Sequence, residues 1–187
     1  MHRYREALFK GYDAVKEEGL NTNRHIQAIQ ATLERNAAGF RRVPGTLLRN
    51  ADGDTVCTPP SPELIPNKMA DLESFINHDH RFNADPLIKM ALMHYQFESI
   101  HPFYDGNGQA GRTLNVRYLV KNALLGIPVL YMSRHIERTK DEYDRRLQAV
   151  RDADAWETWI QYMLTAAERT ADETIETVQA IRQALQS

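Results

Sequence analysis

The chain has 187 residues, 42% of them hydrophobic, and its 23 Lys and Arg against 25 Asp and Glu give a net charge of −2. This length suits one domain with a sizeable core, and the apolar fraction is too high for a disordered chain. The near-neutral balance argues against direct nucleic-acid binding, which needs an excess of basic side chains. The single cysteine excludes an intrachain disulfide and favours the reducing cytoplasm. Without a signal-like start or an 18-residue apolar stretch, we expect no membrane span.

Apolar residues recur at helical spacing in the first half of the chain, which predicts several helices. The predicted segments are residues 4–18 ending at Gly19, a helix from Asn21 or Thr22 that fades at 36–39, and one after Pro66. Asp85 followed by Pro86 is a typical helix start. The nearly all-apolar run that follows predicts a central buried helix.

Residues 43–60 interrupt the helical pattern. Two short β-prone runs, 46–49 and 55–58, flank a turn that contains Gly53. This arrangement is typical of a β-hairpin.

The second half of the chain again predicts helices. After a glycine-rich loop at 105–108, a buried helix that includes Leu124 and Leu125 should end at Gly126-Ile127-Pro128. Ser133 is the expected cap of a further helix, and a long last helix should begin near Trp156. The polar residues 173–187 are expected to project from the body.

The segment with the most chemical information runs His101-Pro102-Phe103-Tyr104-Asp105-Gly106-Asn107-Gly108-Gln109-Ala110-Gly111-Arg112. Gly106 and Gly108 allow positive φ and leave backbone N–H groups uncovered. A loop of this kind before a helix N-terminus is an anion nest that suits a phosphate or pyrophosphate. Alone, a Gly-Asn-Gly sequence is usually an ordinary turn, but the residues around it add matching chemistry.

Three side chains supply that chemistry. Asp105 precedes the nest and is suited to hold Mg²⁺ against phosphate oxygens. Arg112 lies one turn into the next helix and should face back to grip phosphate. His101 has an ordinary pKa near neutrality and would serve as a general base for a hydroxyl nucleophile. Taken singly, His101 fits a core or cap histidine and Asp105 an Asx turn; their order along the chain favours a nucleotide site.

The segment resembles the signature of the Fic family, His-Pro-Phe-x-[Asp/Glu]-Gly-Asn-Gly-Arg-x-x-Arg. Gln109 stands where the family has its first arginine. The resemblance extends over roughly residues 35–170. It implies a mainly α Fic fold, a helical bundle with a β-hairpin flap, organised as a single domain over 1–187. N-terminal helices would occupy 1–35 and a C-terminal helix 156–187.

The resemblance implies a protein adenylyltransferase that moves AMP from ATP to a Ser, Thr or Tyr hydroxyl of a target protein, self-modification included. His101 would be the catalytic base and Asp105 the Mg²⁺ ligand. Phe103 would anchor the loop in the core. The predicted nucleotide- and phosphate-binding residues are Gly106, Asn107, Gly108, Gln109 and Arg112.

The hairpin matches the family's flap, whose edge would pair with target main chain and bring the modified side chain opposite His101. An ordinary surface hairpin is the alternative. The predicted target-docking residues are Leu47, Leu48, Thr55, Val56 and Cys57. Outside this region, His94 lies seven residues before His101, a spacing too long for a close metal-ligand pair. We therefore interpret His94 as a hydrogen-bonded core histidine.

Gln109 is the principal departure from the family, because it removes a positive charge from the triphosphate site. The loss of this charge leaves open weak activity with ATP, another nucleotide donor, or a weakly active or inactive nucleotide-binding interaction module. Removal of AMP from modified protein is a further alternative activity. Doc-type relatives, which are kinases, carry lysine where this chain has Gly108, and this difference argues against a kinase.

A second departure concerns regulation, because no [Ser/Thr]-x-x-x-Glu-[Gly/Asn] inhibitory motif is found in the chain. Glu18-Gly19 comes nearest but lacks the hydroxyl residue at position 14. An excised catalytic core, a naturally short form, and inhibition in trans by a helix or a small antitoxin-like partner all remain open. So does an oligomer.

Overall fold

The computed structural model describes residues 5–9, 12, 19, 21–49, 53, 55–78 and 83–186. Contacts divide the chain into two compact units, Met1–Pro128 and Val129–Ser187. The first contains α1 (Asn23–Glu34), β1 (Leu48–Arg49), β2 (Thr55–Cys57), a 3₁₀ turn (Pro62–Leu64), α2 (Ile65–Asn77), α3 (Pro86–Ile100) and α4 (Asn107–Lys121). The second contains α5 (Met132–Arg138), α6 (Lys140–Ala153) and α7 (Trp156–Gln186). The predicted mainly α fold is confirmed, and none of the described helices has the length and apolar composition that crossing a bilayer requires.

Helix α1 forms where its sequence predicts it. Thr22 is the N-cap, and its Oγ1 accepts a hydrogen bond from the backbone N–H of His25 at 3.4 Å. The buried face carries Ile26, Ile29 and Leu33, at the spacing of one helical stripe. Most of the helix predicted over residues 4–18 lies outside the described residues, although residues 5–9 are helical.

Helix α3 is the centre of the first unit, as its apolar pattern predicts. Asp85 Oδ1 accepts from the backbone N–H of Leu87 at 2.8 Å, and Pro86 occupies the first helical position. The helix packs against α2 and α4, while α1 packs against α4. Residues 101–106 join α3 to α4, so the C-terminal end of α3 and the N-terminal end of α4 are held close together.

The predicted hairpin is present. Strands β1 and β2 are antiparallel, with Leu48 opposite Cys57 and Arg49 opposite Thr55, and an irregularity between Leu48 and Arg49. Leu47 precedes β1 and is exposed, and Gly53 has a φ of 88° in the turn. Residues 50–52 and 54 of that turn lie outside the described residues.

Two sequence predictions about helix ends are wrong. Helix α4 ends at Lys121 rather than at 126–128, because Ala123 adopts a left-handed φ of 57° just after the C-cap. Leu124, predicted to be buried, is 49% exposed. Ser133 is not a cap, since α5 begins at Met132 after Tyr131 and Ser133 is buried within the first turn.

In the second unit, α5 and α6 pack against α7, which begins at Trp156 as predicted. The rings of three residues form the aromatic core of the second unit, with centroid separations of 5.5 to 6.1 Å: Tyr143, Trp159 and Tyr162. The last three turns of α7 leave their apolar side chains exposed.

Candidate active site

His101 is the C-cap of α3 and has left-handed backbone angles, φ 48° and ψ 61°. Its N–H still donates to the carbonyl of Phe97 at 3.0 Å, and the left-handed turn at His101 then ends the helix. A non-glycine residue in this conformation costs about 1–2 kcal/mol, and such strain persists only where neighbouring structure holds it. The sequence predicted positive φ at Gly106 and Gly108; the structure has it at His101 and Gly106.

Residues 40–42 run alongside the loop that follows His101. Arg41 Nε donates to the carbonyl of His101 at 2.8 Å, and the Arg41 N–H donates to that of Pro102 at 2.8 Å. The N–H of Arg42 donates to Tyr104 Oη at 2.8 Å. This non-helical segment therefore holds the loop at three residues, His101, Pro102 and Tyr104.

Phe103 and Asn107 brace the loop from inside. Phe103 is completely buried, as predicted, and its ring lies 5.5 Å from that of Phe40. The Asn107 side chain accepts from the Phe103 N–H at 2.9 Å and donates to the Phe103 carbonyl at 2.9 Å. This side chain therefore holds the loop. If Asn107 contacts phosphate, as predicted, only its backbone N–H is suited to do so.

The N-terminal end of α4 has the geometry of an anion site. Gly106 is the N-cap with φ 77°, and the first intrahelical bond runs from the N–H of Ala110 to the carbonyl of Gly106 at 2.9 Å. The N–H groups of Asn107, Gly108 and Gln109 therefore have no carbonyl one turn earlier within the helix. Such groups, together with the helix dipole, favour a bound anion.

Arg112 lies against Gly108, as the sequence predicts. Its Nη1 is only 3.0 Å from the position that a Cβ on Gly108 would occupy. Since Gly108 is helical and not left-handed, its small size matters here because it leaves room for the guanidinium. This brings a positive charge to the first turn of α4, beside the N–H groups.

Asp105 is exposed beside the nest, and its Oδ1 accepts from the N–H of Gly106 at 2.7 Å. Its carbonyl accepts from Nε2 of the buried Gln30 at 3.2 Å. No group of three or more His, Cys, Asp or Glu side chains that could hold a metal occurs among the described residues. Mg²⁺ is commonly bound by one or two carboxylates together with substrate phosphates, so the single exposed carboxylate fits a Mg²⁺–nucleotide and not a protein-only metal cage.

Gly106 is closely approached by Glu34, the last residue of α1. A Cβ on Gly106 would lie 2.7 Å from Glu34 Oε1 and 3.0 Å from its Cγ. The end of α1 thus lies against the nest at two points: Gln30 donates to the Asp105 carbonyl, and Glu34 fills the space beside Gly106. Neither residue was identified from the sequence, because both lie in a helix whose pattern predicts only packing.

We expect Gly106→Ala to weaken nucleotide binding, because the new methyl group both strains φ and crowds Glu34. Gly45→Ala is the matched control, since Gly45 has φ 91° and no atom within 4 Å of its added Cβ. Left-handed alanine should cost both variants about 1 kcal/mol of stability. Only Gly106→Ala should also weaken nucleotide binding measured by titration calorimetry. Equal nucleotide affinity in the two variants would contradict the role given to Gly106.

Gln109, in the first turn of α4, has an exposed side chain. Its carbonyl accepts from Thr113 Oγ1 at 2.9 Å, inside the helix. The side chain that departs from the family signature therefore stands at the same helix end as the nest and Arg112.

His94 is completely buried in α3, and Asn115 Nδ2 in α4 donates to its Nδ1 at 3.1 Å. The predicted hydrogen-bonded core histidine is confirmed. Burial first, and the nearby Arg112 second, lower the pKa of His94 to about 3. His94 is consequently neutral at physiological pH and acts as a packing link between the two helices.

We expect His94 to make the protein acid-sensitive. Its pKa is about 6.5 when unfolded and about 3 when folded, so the unfolded state takes up the proton first as the pH falls. Stability from neutral His94 is complete above pH 6.5 and declines towards pH 3, by about 1.4 kcal/mol per pH unit. Urea unfolding between pH 7 and 4 should show a shallower decline for His94→Gln. Identical slopes would contradict this assignment.

Not all of the predicted target-docking residues lie in the strands of the hairpin. Leu48, Thr55, Val56 and Cys57 lie in the paired strands, whereas Leu47 lies just before them. Cys57 is a half-buried free thiol. Arg41 Nη2 donates to the carbonyl of Pro60, three residues after β2, so the base of the hairpin is linked to the backbone of His101.

A model of the Fic/DOC family matches residues 20–119, which include the whole of the site described above. The chain belongs to the Fic/DOC family. Residues 20–119 span α1 to most of α4, so the match covers the nest, His101 and the hairpin together.

Two curated relatives show local similarity. One, from Aquifex aeolicus, is named a probable protein adenylyltransferase and is 32% identical over 84 residues, which is 45% of this chain and 26% of that protein. The other, protein adenylyltransferase fic-1 of Caenorhabditis elegans, is 37% identical over 57 residues, 30% of this chain and 11% of that protein. The chain spans about a quarter or less of these relatives, so what the longer proteins do as a whole is not shown for it.

Solved structures share the fold. A Fic family protein from Desulfovibrio desulfuricans superposes with a TM-score of 0.76 at 24% identity, covering 93% of this chain and 53% of that one. A Fic domain-containing signalling protein from Bacteroides thetaiotaomicron has a TM-score of 0.71 at 19% identity, covering 95% and 72%. At these identities the likeness supports the fold alone.

Proposed function

We propose that this protein transfers AMP from ATP to a hydroxyl side chain of a target protein. The observation that carries the proposal is the junction of α3 and α4, where His101 and the N-terminal end of α4 are held by one short loop and Arg112 lies over Gly108. The names of the two curated relatives, both protein adenylyltransferases, support the same activity.

In this proposal the phosphates of ATP bind at the N-terminal end of α4. The backbone N–H groups of Asn107, Gly108 and Gln109 face the α-phosphate and stabilise charge that develops there during transfer. Arg112 binds the distal phosphates with its guanidinium. Because most of this site is built from backbone dipoles, it binds an anion in a chain whose net charge is −2.

His101 acts as the general base. Its imidazole takes the proton of the target hydroxyl as the oxygen attacks the α-phosphorus, and the bond from that phosphorus to the β-phosphate bridging oxygen breaks. AMP is then joined to the protein as a phosphodiester, and pyrophosphate leaves. General-base assistance of this kind contributes about 10²–10⁴-fold to the rate.

Asp105 would hold Mg²⁺, whose charge would help to neutralise the phosphates. The residues fit this ion because one exposed carboxylate stands beside the nest, and Mg²⁺ commonly combines such a carboxylate with nucleotide oxygens.

The hairpin would dock the target. An extended target segment would pair with the edge of Leu48–Arg49 or Thr55–Cys57, and main-chain hydrogen bonds would fix its position along the flap. We propose a protein partner for this surface, and the single cysteine still favours a reducing cytoplasm as the place of action.

The test compares ATP labelled at the α-phosphate with ATP labelled at the γ-phosphate. We expect the α-label to appear on protein and the γ-label to appear in pyrophosphate only. Transfer of the γ-label to protein would instead identify a kinase and overturn the proposal. Parallel reactions with other α-labelled nucleotides and with AMP-modified protein test the donor and the reverse reaction.

A further inference from the structure

Arg41 is a buried arginine between α1 and β1, in a segment without regular secondary structure; it is 2% exposed. Its guanidinium donates to carbonyls in two parts of the chain: Nε to His101 at 2.8 Å, and Nη2 to Pro60 and to Ile100, the latter at 3.5 Å. Its own N–H donates to Pro102. Its neighbour Arg42 is exposed, and the contact of Arg42 with the loop is made by its backbone.

The carbonyls of Ile100 and His101 lie at the C-terminal end of α3. The last carbonyls of a helix have no partner within it, and the helix dipole makes this end attractive to a cation. Arg41 supplies both the hydrogen bonds and the charge. It therefore stabilises the strained left-handed turn in which His101 leaves the helix.

The contact with Pro60 connects the same guanidinium to the hairpin. Pro60 follows the last residue of β2 by three residues, at the base of the hairpin. Because the guanidinium is planar and its N–H groups diverge at fixed angles, the carbonyl of Pro60 and that of His101 are held at a set separation.

We propose that Arg41 is a positioning residue that holds the His101 turn and the base of the flap hairpin in fixed relation. The inference rests on the proposed function, since it concerns how the hydroxyl of a target segment bound to the flap is placed next to His101. Nucleotide binding should not depend on it. The N-terminal end of α4 is held separately, by Asn107 on Phe103 and by Gln30 on Asp105.

The test compares Arg41→Met with Arg42→Met in the 187-residue chain. For Arg41→Met we expect kcat for α-label transfer to protein to fall roughly tenfold or more, because small misplacement of reacting groups has large effects on rate. The KM for ATP should stay within about threefold of the unaltered chain, which separates positioning from binding. Arg42→Met should retain both values. Arg41→Lys, which keeps the charge but lacks the rigid planar set of N–H groups, should fall between.

A second measurement does not depend on activity. Hydrogen exchange of two backbone amides measures the stability of the two helix ends. The His101 amide, at the end of α3, bonds to Phe97 at 3.0 Å. The Ala110 amide, at the start of α4, bonds to Gly106 at 2.9 Å. In Arg41→Met, exchange at His101 should accelerate roughly tenfold or more while exchange at Ala110 stays unchanged, because only the His101 end loses its support. Arg41→Lys should accelerate exchange at His101 by a smaller factor.

The inference is overturned if Arg41→Met keeps the kcat of the unaltered chain, if ATP binding falls in proportion to kcat, or if exchange at His101 does not change. Should Arg41→Met fail to fold, Arg41→Lys gives the same comparison. If the unaltered chain transfers no label, the proposed function fails, and the exchange comparison then decides whether Arg41 holds the His101 turn.

Discussion

His101→Ala is expected to lower protein labelling from α-labelled ATP by about 10²-fold or more, because general-base assistance is worth about 10²–10⁴-fold. The imidazole belongs to a residue that ends α3 in a left-handed turn, next to the N-terminal end of α4. Its loss removes the acceptor for the hydroxyl proton and leaves the nest and Arg112 in place. Labelling should therefore fall by this factor while nucleotide binding remains.

The controls separate chemistry from folding. His78→Ala is the matched substitution, since His78 is an exposed histidine at the end of α2, outside the site; it should label like the unaltered chain. Calorimetric titration with ATP should give similar affinities for all three proteins. Equal labelling by His101→Ala and the unaltered chain would reject the proposed mechanism.

Gln109→Arg is expected to tighten ATP binding by about ten- to hundredfold, because one charge-assisted hydrogen bond to phosphate is worth about 1.5–3 kcal/mol. Gln109 is exposed in the first turn of α4, so a longer side chain requires no repacking. The added charge would join Arg112 at the helix end. Dissociation constants for ATP and AMP measured side by side should show a much larger gain for ATP.

Gln109→Met is the control for this substitution, since it changes the side chain without adding charge. It should bind ATP no more tightly than the unaltered chain. If Gln109→Arg binds ATP and AMP with unchanged affinity, position 109 does not face the distal phosphates. If labelling appears only with Gln109→Arg, the unaltered chain is a nucleotide-binding module rather than an efficient transferase.

The sequence predicted the helices best where one stripe of side chains is buried. Helix α1 and its Thr22 cap, α3 with Asp85 and Pro86, and α7 from Trp156 agree with the structure. These elements are predictable because caps and apolar periodicity act within a few residues of the chain. The helix ends near Leu124 and Ser133 were wrong, because there an apolar side chain is left exposed and a polar one is buried.

For the candidate site, the sequence by itself predicted the local geometry of the anion nest. The structure has an anion nest that begins at Gly106, with the guanidinium of Arg112 beside it. His101 begins the loop that leads into this nest. The family resemblance began with the same segment and extended over roughly residues 35–170, and a Fic/DOC family model matches residues 20–119. The roles of these residues in transfer remain predictions.

Only the tertiary structure decided how that segment is held. The sequence does not distinguish Arg41 from its neighbour Arg42. In the structure Arg41 is buried and its guanidinium donates to three backbone carbonyls, whereas Arg42 is exposed. Gln30 and Glu34 are distant from the loop in sequence, yet α1 brings Gln30 to the Asp105 carbonyl and Glu34 beside Gly106. The local sequence pattern predicts which residues can form a nest or a helix, because the hydrogen bonds of both join residues only a few positions apart. The contacts that hold a strained turn come from distant segments, and the fold alone brings them together.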